Sequence, residues 1–266
     1  MLKSNYMVKN IKIFLSITVL ILVFPSICLS APFKSYTGLI HVPSAYVLGD
    51  QNLELVSSAD LYQKYESSFV EMDGRITLGF ERIELGLSIL TENLYTLNFK
   101  LNFLTEDKNG FLPAMAWGVR DISTESRITS TGTDNPYNSE QNNSIFFVIS
   151  KEFIPFDFLS FRVHLGMGAN GFRADTPLFS EFGGIFAGFD IPFAKYFTFM
   201  AEFDGKHVNS GLKAAIQGMT IGVAVSSIDR LKNPTVTYGI AEGFRIGLGV
   251  SLRLDLTKPA PYGLWE

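Results

Sequence analysis

Three histidines, His41, His164 and His207, are the first residues of this 266-residue chain to weigh for chemistry. A histidine beside a serine can activate a hydroxyl nucleophile. His164 with a serine such as Ser251 is the pair that a lipid-modifying enzyme built in a membrane barrel would use. No serine stands in a nucleophile-elbow context, and His164 falls in the middle of a predicted strand, so no catalytic residues are expected. Metal-ligand spacing is absent, and no metal or cofactor is expected. His207, close to Asp204, reads as a turn residue. Gly166-Met167-Gly168-Ala169-Asn170-Gly171 matches the dinucleotide fingerprint letter by letter. That motif works only where a helix follows to hold the pyrophosphate, and Phe172-Arg173-Ala174-Asp175-Thr176-Pro177 does not begin one.

A second set is distributed rather than clustered. Arg75, Glu84, Lys100, Arg120, Arg162, His164, Glu202, Asp204, Lys213, Arg245 and Arg253 carry both signs of charge. All fall on the polar side of alternating segments. Charges of both signs on one face can pair across a lumen and close it, or stand apart and line a polar path. The sequence leaves both open.

The elements that position them are strands. In Gly74 to Leu90, apolar residues fall at Ile76, Leu78 and Phe80 and, after a break at Glu81-Arg82, at Ile83, Leu85, Leu87 and Ile89. A period of two places successive side chains on opposite faces, and the break has hairpin length. The same alternation predicts strands at 52–61, 94–104, 112–121, 144–152, 160–168, 183–190, 196–204, 209–216, 218–226 and 244–256, twelve in all. Asn109-Gly110 signals a tight turn. The segment Tyr36 to Ala45 does not alternate and reads as an ordered lead-in with a turn at Pro43-Ser44.

The long connections, near 122–143, 169–182 and 227–243, follow strands five, seven and eleven, whereas connections after even-numbered strands are short. Bacterial outer-membrane barrels sort their loops in this way. Aromatics also cluster where girdles belong: Phe153, Phe156, Phe158, Phe193 and Tyr196 near one set of ends, Tyr62, Tyr65, Phe172, Phe179 and Phe182 near the other. The expected fold is all-β, a transmembrane antiparallel up-and-down β-barrel of about twelve strands. Leu97, Phe99, Ile246 and Leu248 then meet lipid, and the charged set faces one interior. The competing reading, a secreted sandwich or lipocalin-like barrel, puts those same apolar residues in a core.

Composition sets the remaining bounds. Hydrophobic residues make up 47% of the chain, and the mean hydropathy is +0.19. Lys3, Lys9 and Lys12 precede an apolar run, Ile13 to Phe24, and small residues lead up to Ser30. This is a secretion signal expected to be cleaved after Ser30. Residues 31–51 form the lead-in and 52–266 the barrel. Cys28, the one cysteine, lies in the signal, so disulfides are excluded from the mature chain. Removing the three signal lysines takes the net charge from −4 to −7, which argues against a nucleic-acid partner.

The lead-in Thr37-Gly38-Leu39-Ile40-His41-Val42-Pro43-Ser44-Ala45 resembles the opening of the YjbH-like outer-membrane proteins. Leu112-Pro113-Ala114-Met115-Ala116-Trp117-Gly118-Val119-Arg120-Asp121, Phe147-Val148-Ile149-Ser150-Lys151 and Ala201-Glu202-Phe203-Asp204-Gly205 are similar to later stretches of that family, in the same order. Family members are often longer, and this chain matches only a first barrel. The resemblance implies a cell outer-membrane location and an accessory role in exopolysaccharide assembly or export. Outer-membrane lipid, polysaccharide and periplasmic or envelope proteins are then the candidate partners. A general porin or small-solute channel is the alternative, and a lipid-modifying barrel enzyme the third.

Overall fold

The computed structural model describes residues 37–64, 67–90, 94–108, 110–122, 144–156, 159–169, 184–216, 218–230, 236–237, 240–241 and 245–257. The signal segment, Tyr65, Asn109, Phe158, Phe172, Phe179 and Phe182 lie outside them, as does the side chain of Tyr62.

The strands are β1 (Asn52–Lys64), β2 (Ser67–Phe80), β3 (Ile83–Leu90), β4 (Leu94–Leu104), β5 (Ala114–Ile122), β6 (Ser144–Phe156), β7 (Leu159–Gly168), β8 (Gly184–Pro192), β9 (Phe197–Phe203), β10 (Val208–Ile216), β11 (Met219–Ser226), β12 (Val236–Thr237), β13 (Ile240–Ala241) and β14 (Arg245–Asp255). Each of β1 to β11 pairs antiparallel with its neighbour in sequence. Strand β14 then pairs with both β11 and β1, closing a twelve-stranded barrel. Strands β12 and β13 form a separate two-stranded ladder in the connection before β14, where the sequence suggests only a loop. Closure leaves the barrel without an edge strand, which is what a strand-built protein requires in lipid. No helix among the described residues is long and apolar enough to cross a membrane.

The alternation decides which face is which. On β2, Ile76, Leu78 and Phe80 point out while Arg75 and Thr77 are buried inside; on β3, Leu85, Leu87 and Ile89 point out while Glu84 and Ser88 are inside. Leu97, Ile246 and Leu248 are exposed on the outer wall, and outward aromatics pack across strands, as Phe99 does on Trp117 with ring centroids 5.3 Å apart. An apolar belt this continuous is far larger than the few hundred square ångströms a soluble monomer tolerates. The core of a sandwich or lipocalin would hold these side chains; here they form the outside. Phe153, Phe156, Phe193 and Tyr196 are exposed at the end that carries the short turns.

Two sequence expectations need correction. Strand β5 begins at Ala114, not 112, and the connection from β4 runs from Thr105 to Pro113, long for that end of the barrel. It is held there by side chains: Lys151 donates to the carbonyls of Asp107 (2.7 Å) and Gly110 (2.8 Å) and pairs with Glu106 at 3.2 Å. Nor is the interior purely polar. Ala114, Ala116, Phe146, Val148 and Phe186 face inward from β5, β6 and β8 and form an apolar cluster with Val42 and Ala45 of the lead-in. Leu39 and Ile40 make a second with Met200 and Ala224. The lead-in occupies the lumen, and these residues are the core it packs into.

Eight strands make a barrel that side chains can fill, whereas sixteen or more leave an aqueous channel. Twelve fall between, wide enough to take a folded segment of backbone. Burying Leu39, Ile40, Val42 and Leu48 there contributes about 1.5–3 kcal/mol for each side chain.

Candidate functional site

The site is the lumen, built from the lead-in and the carboxylates that hold it. From Thr37 the chain climbs to His41, turns, and descends through Leu48 to join β1. The turn is a local hairpin: Gly38 bridges Pro43, Leu39 N–H donates to the Val42 carbonyl at 3.0 Å, and Ser44 N–H to the Thr37 carbonyl at 3.1 Å. Gly49, at φ 88°, turns the chain out of the lumen into β1.

Two buried carboxylates hold this segment at opposite ends. Glu202, beside the turn that follows β9, accepts three consecutive N–H groups at the tip: Ile40 (2.9 Å), His41 (2.7 Å) and Val42 (3.1 Å). Asn209 Nδ2 adds a fourth donor at 3.0 Å. Glu84, beside the β2–β3 turn, accepts the N–H (3.1 Å) and hydroxyl of Thr37 where the segment starts and Leu48 N–H (3.2 Å) where it ends. Lys100 pairs with Glu84 at 3.2 Å and donates to the Thr37 carbonyl at 3.1 Å.

Between the two latches the wall supplies single bonds. Ala45 N–H donates to Ser150 Oγ (2.7 Å), and Asn102 Nδ2 to the Ala45 carbonyl (2.7 Å). Arg120 reaches the His41 carbonyl (3.2 Å) and Arg253 the Leu48 carbonyl. Tyr46 hydroxyl donates to Glu106 at 2.7 Å. Burial and the Glu106 carboxylate push the Tyr46 hydroxyl well above its ordinary value. The wall is also cut back to admit the backbone: a Cβ on Gly79 would stand 2.0 Å from the Gly49 carbonyl oxygen, and one on Gly188 2.3 Å from Leu39 Cδ1.

The remaining predicted lumen residues are also inside. Arg75 pairs with Glu54 at 2.9 Å, both buried. Asp190 is clamped by Arg162 and accepts from His164 Nε2 at 3.0 Å, while Ser150 Oγ meets His164 Nδ1 at 2.8 Å. Ser150, His164 and Asp190 thus share the connectivity of a hydrolase triad. The serine, however, is fully buried under the lead-in and already accepts the Ala45 N–H, and the carboxylate is neutralised by a guanidinium. The geometry suits a strut between wall and lead-in; Ser251, the serine first paired with His164, lies on β14, away from these strands.

Asp204 stands at the rim turn and accepts N–H groups from Lys206 (2.9 Å) and His207 (2.8 Å), so His207 is a turn residue as its neighbourhood suggests. Burial opposes ionisation of Asp204, yet the neighbouring His41 ring and the donated hydrogen bonds hold its carboxyl below the ordinary range. His41, Glu202 and Asp204 have ligand atoms within 4.8 Å of one another. Both Glu202 oxygens already accept N–H donors, so the trio works as a latch rather than a cation cage. Gly166 and Gly168 lie within β7, so the glycine motif is strand and not a phosphate loop. Arg245 and Lys213 are inward on β14 and β10, Arg245 half-buried and Lys213 buried.

Reading the sequence missed Glu54, Ser150 and Asp190, which strand parity alone would have placed on the inner face, and Tyr46 and Glu106. For the last two no sequence signal exists, because one lies in a segment without periodicity and the other in a loop.

No family model matches the chain, and no curated protein matches it. Solved structures that resemble it include the NanC porin in a rhombohedral crystal form, at 11% identity and a TM-score of 0.41 over 76% of this chain and all of that one, and the COG4313 outer membrane channel from Pseudomonas putida F1, at 9% identity and a TM-score of 0.38 over 78% of this chain and 97% of that one. The twelve-stranded closed barrel rests on this chain's own ladders.

Proposed function

We propose that the protein is an outer-membrane channel held shut by its own N-terminal segment. The observation that carries this reading is the placement of three consecutive backbone N–H groups of that segment on one buried carboxylate, Glu202, inside a barrel whose outer wall is apolar. A barrel serving only as a scaffold has no need to seat a removable backbone loop on ionic anchors. The loop starts and ends at the short-turn end, which in outer-membrane barrels faces the periplasm, so release of the segment opens the lumen from that side. The test is planar-bilayer recording of the purified full chain. Wild type is expected to show small, rare openings, and the Glu84→Ala, Glu202→Ala double variant a stable larger conductance. A double variant that folds but stays as closed as wild type sinks the reading.

The finer role, an accessory in exopolysaccharide assembly or export with envelope partners, is supported by one observation beyond the resemblance. The resembling stretches lie far apart in sequence, yet Ala114 shares an apolar cluster with Val42 and Ala45, and Ser150 and Glu202 accept N–H groups of the segment Thr37–Ala45 in the lumen. What is similar is the loop and its seat. Measuring extracellular polysaccharide in a deletion strain, against one complemented with the Glu202→Ala variant, tests it; unchanged polysaccharide on deletion removes this role and leaves the channel.

A further inference from the structure

Among the described residues, most inward cations of the lumen have an ion-paired or hydrogen-bonded partner. Arg75 has Glu54, Lys100 has Glu84, Arg162 has Asp190, and Arg253 has the Leu48 carbonyl and Asn52. Lys213, on β10, is 6% exposed, and its ammonium has no hydrogen-bond or ion-pair partner among the described residues. Its cross-strand neighbours explain why: Thr198 on β9 and Gly222 on β11 stand where a carboxylate would have to be. Asp190 and Glu54 act on it through space, but an ammonium on a mostly buried side chain with no acceptor in contact is unfavourable unless something of opposite charge meets it.

The space that Lys213 faces is a cavity of about 200 Å³ between the lead-in and the wall. Arg162, Arg253, His164, Asp190 and Tyr46 share its lining. Three side-chain cations therefore face one carboxylate, and that carboxylate is already taken by Arg162 and His164. Arg162 spends Nε and Nη2 on Asp190, and Arg253 spends Nε and Nη2 on Asn52 and Leu48, which leaves each guanidinium a further nitrogen. A planar guanidinium edge and a free ammonium in one pocket are the donors that a carboxylate or phosphate takes. The volume is that of several water molecules, enough for one small oxyanion with part of its shell.

We propose that this cavity is an oxyanion-binding site, with Lys213 the principal donor and Arg162 and Arg253 completing it, for a phosphate or the carboxylate of a small solute. Binding there would hold the lead-in against the wall, since Arg253 grips Leu48 and the cavity is lined by Tyr46. The site goes beyond the channel reading and stands without it, because it is defined by the closed form alone.

The test is calorimetric titration of the detergent-solubilised full chain with inorganic phosphate and, in parallel, acetate, at constant ionic strength. Two variants remove the site by opposite routes. Lys213→Met deletes the charge, and Thr198→Glu supplies an internal counter-ion directly across the strand pair. Each is expected to weaken binding at least tenfold, while Lys195→Gln, on an exposed turn, changes nothing. Tighter phosphate than acetate identifies an inorganic oxyanion as the ligand class; the reverse identifies a carboxylate. The proposal is overturned if neither anion binds wild type, or if either folded variant binds as wild type does. Conductance is not part of the readout, so failure here leaves the channel reading untouched.

Discussion

Glu84 and Glu202 perform the same task at opposite ends of the lumen in different ways. Each is a buried carboxylate that collects hydrogen bonds from the lead-in. Glu84 ties together the start and the end of the loop, at Thr37 and Leu48, and shares its charge with Lys100. Glu202 binds three neighbouring residues at the tip, and Asn209 is the side chain that backs it. The lower latch therefore depends on an ion pair anchored in the wall, and the upper one on the shape of a backbone turn. A loop fixed rigidly at its base and by a nest of N–H groups at its tip can release the tip first.

That contrast predicts an order of effects. Glu84→Ala removes three acceptor bonds and deprives buried Lys100 of the carboxylate it pairs with; the loss of stability in detergent unfolding should be about 3–5 kcal/mol. Adding Lys100→Met should return part of it, and strictly additive losses would break the ion-pair account. Glu202→Ala orphans N–H groups on the loop but no cation, so about 2–3 kcal/mol is expected. That loss should appear mainly as increased conductance, with barrel unfolding little changed. Ser150→Ala removes one bond to Ala45 and one to His164, and should cost about 1 kcal/mol, with no larger change in conductance than that implies.

The smallest effect at neutral pH is that of Tyr46. Its hydroxyl is held protonated by burial and by Glu106, with Glu152, Arg162 and the ring of His164 around it. The seated loop keeps this proton more tightly than a released one. Its contribution is complete below the ordinary tyrosine value of about 10 and declines above it, by up to about 1.4 kcal/mol per pH unit. Conductance should thus rise on the alkaline side of about pH 10, and Tyr46→Phe should flatten that rise. A wild-type profile as flat as the variant's would show that Tyr46 leaves the lumen with its proton or not at all.

The sequence was enough for the wall. Alternation at 74–90, 94–104 and 246–254 reports a sheet with one apolar face, because a period of two is a local property of extended backbone and survives in any single strand. It also sorted the charged residues to one side, and the loop lengths to two ends. Only the folded barrel showed what that polar side is for. The segment Thr37 to Leu48 has no period, since a loop that is bonded through its backbone needs few particular side chains. Its partners Glu84, Ser150 and Glu202 sit on separate strands whose angular positions exist only after β14 closes on β1. Whether the inward charges pair with one another, with the backbone of the lead-in, or, as at Lys213, with neither is decided by register across many strands, and register is a property of the closed sheet.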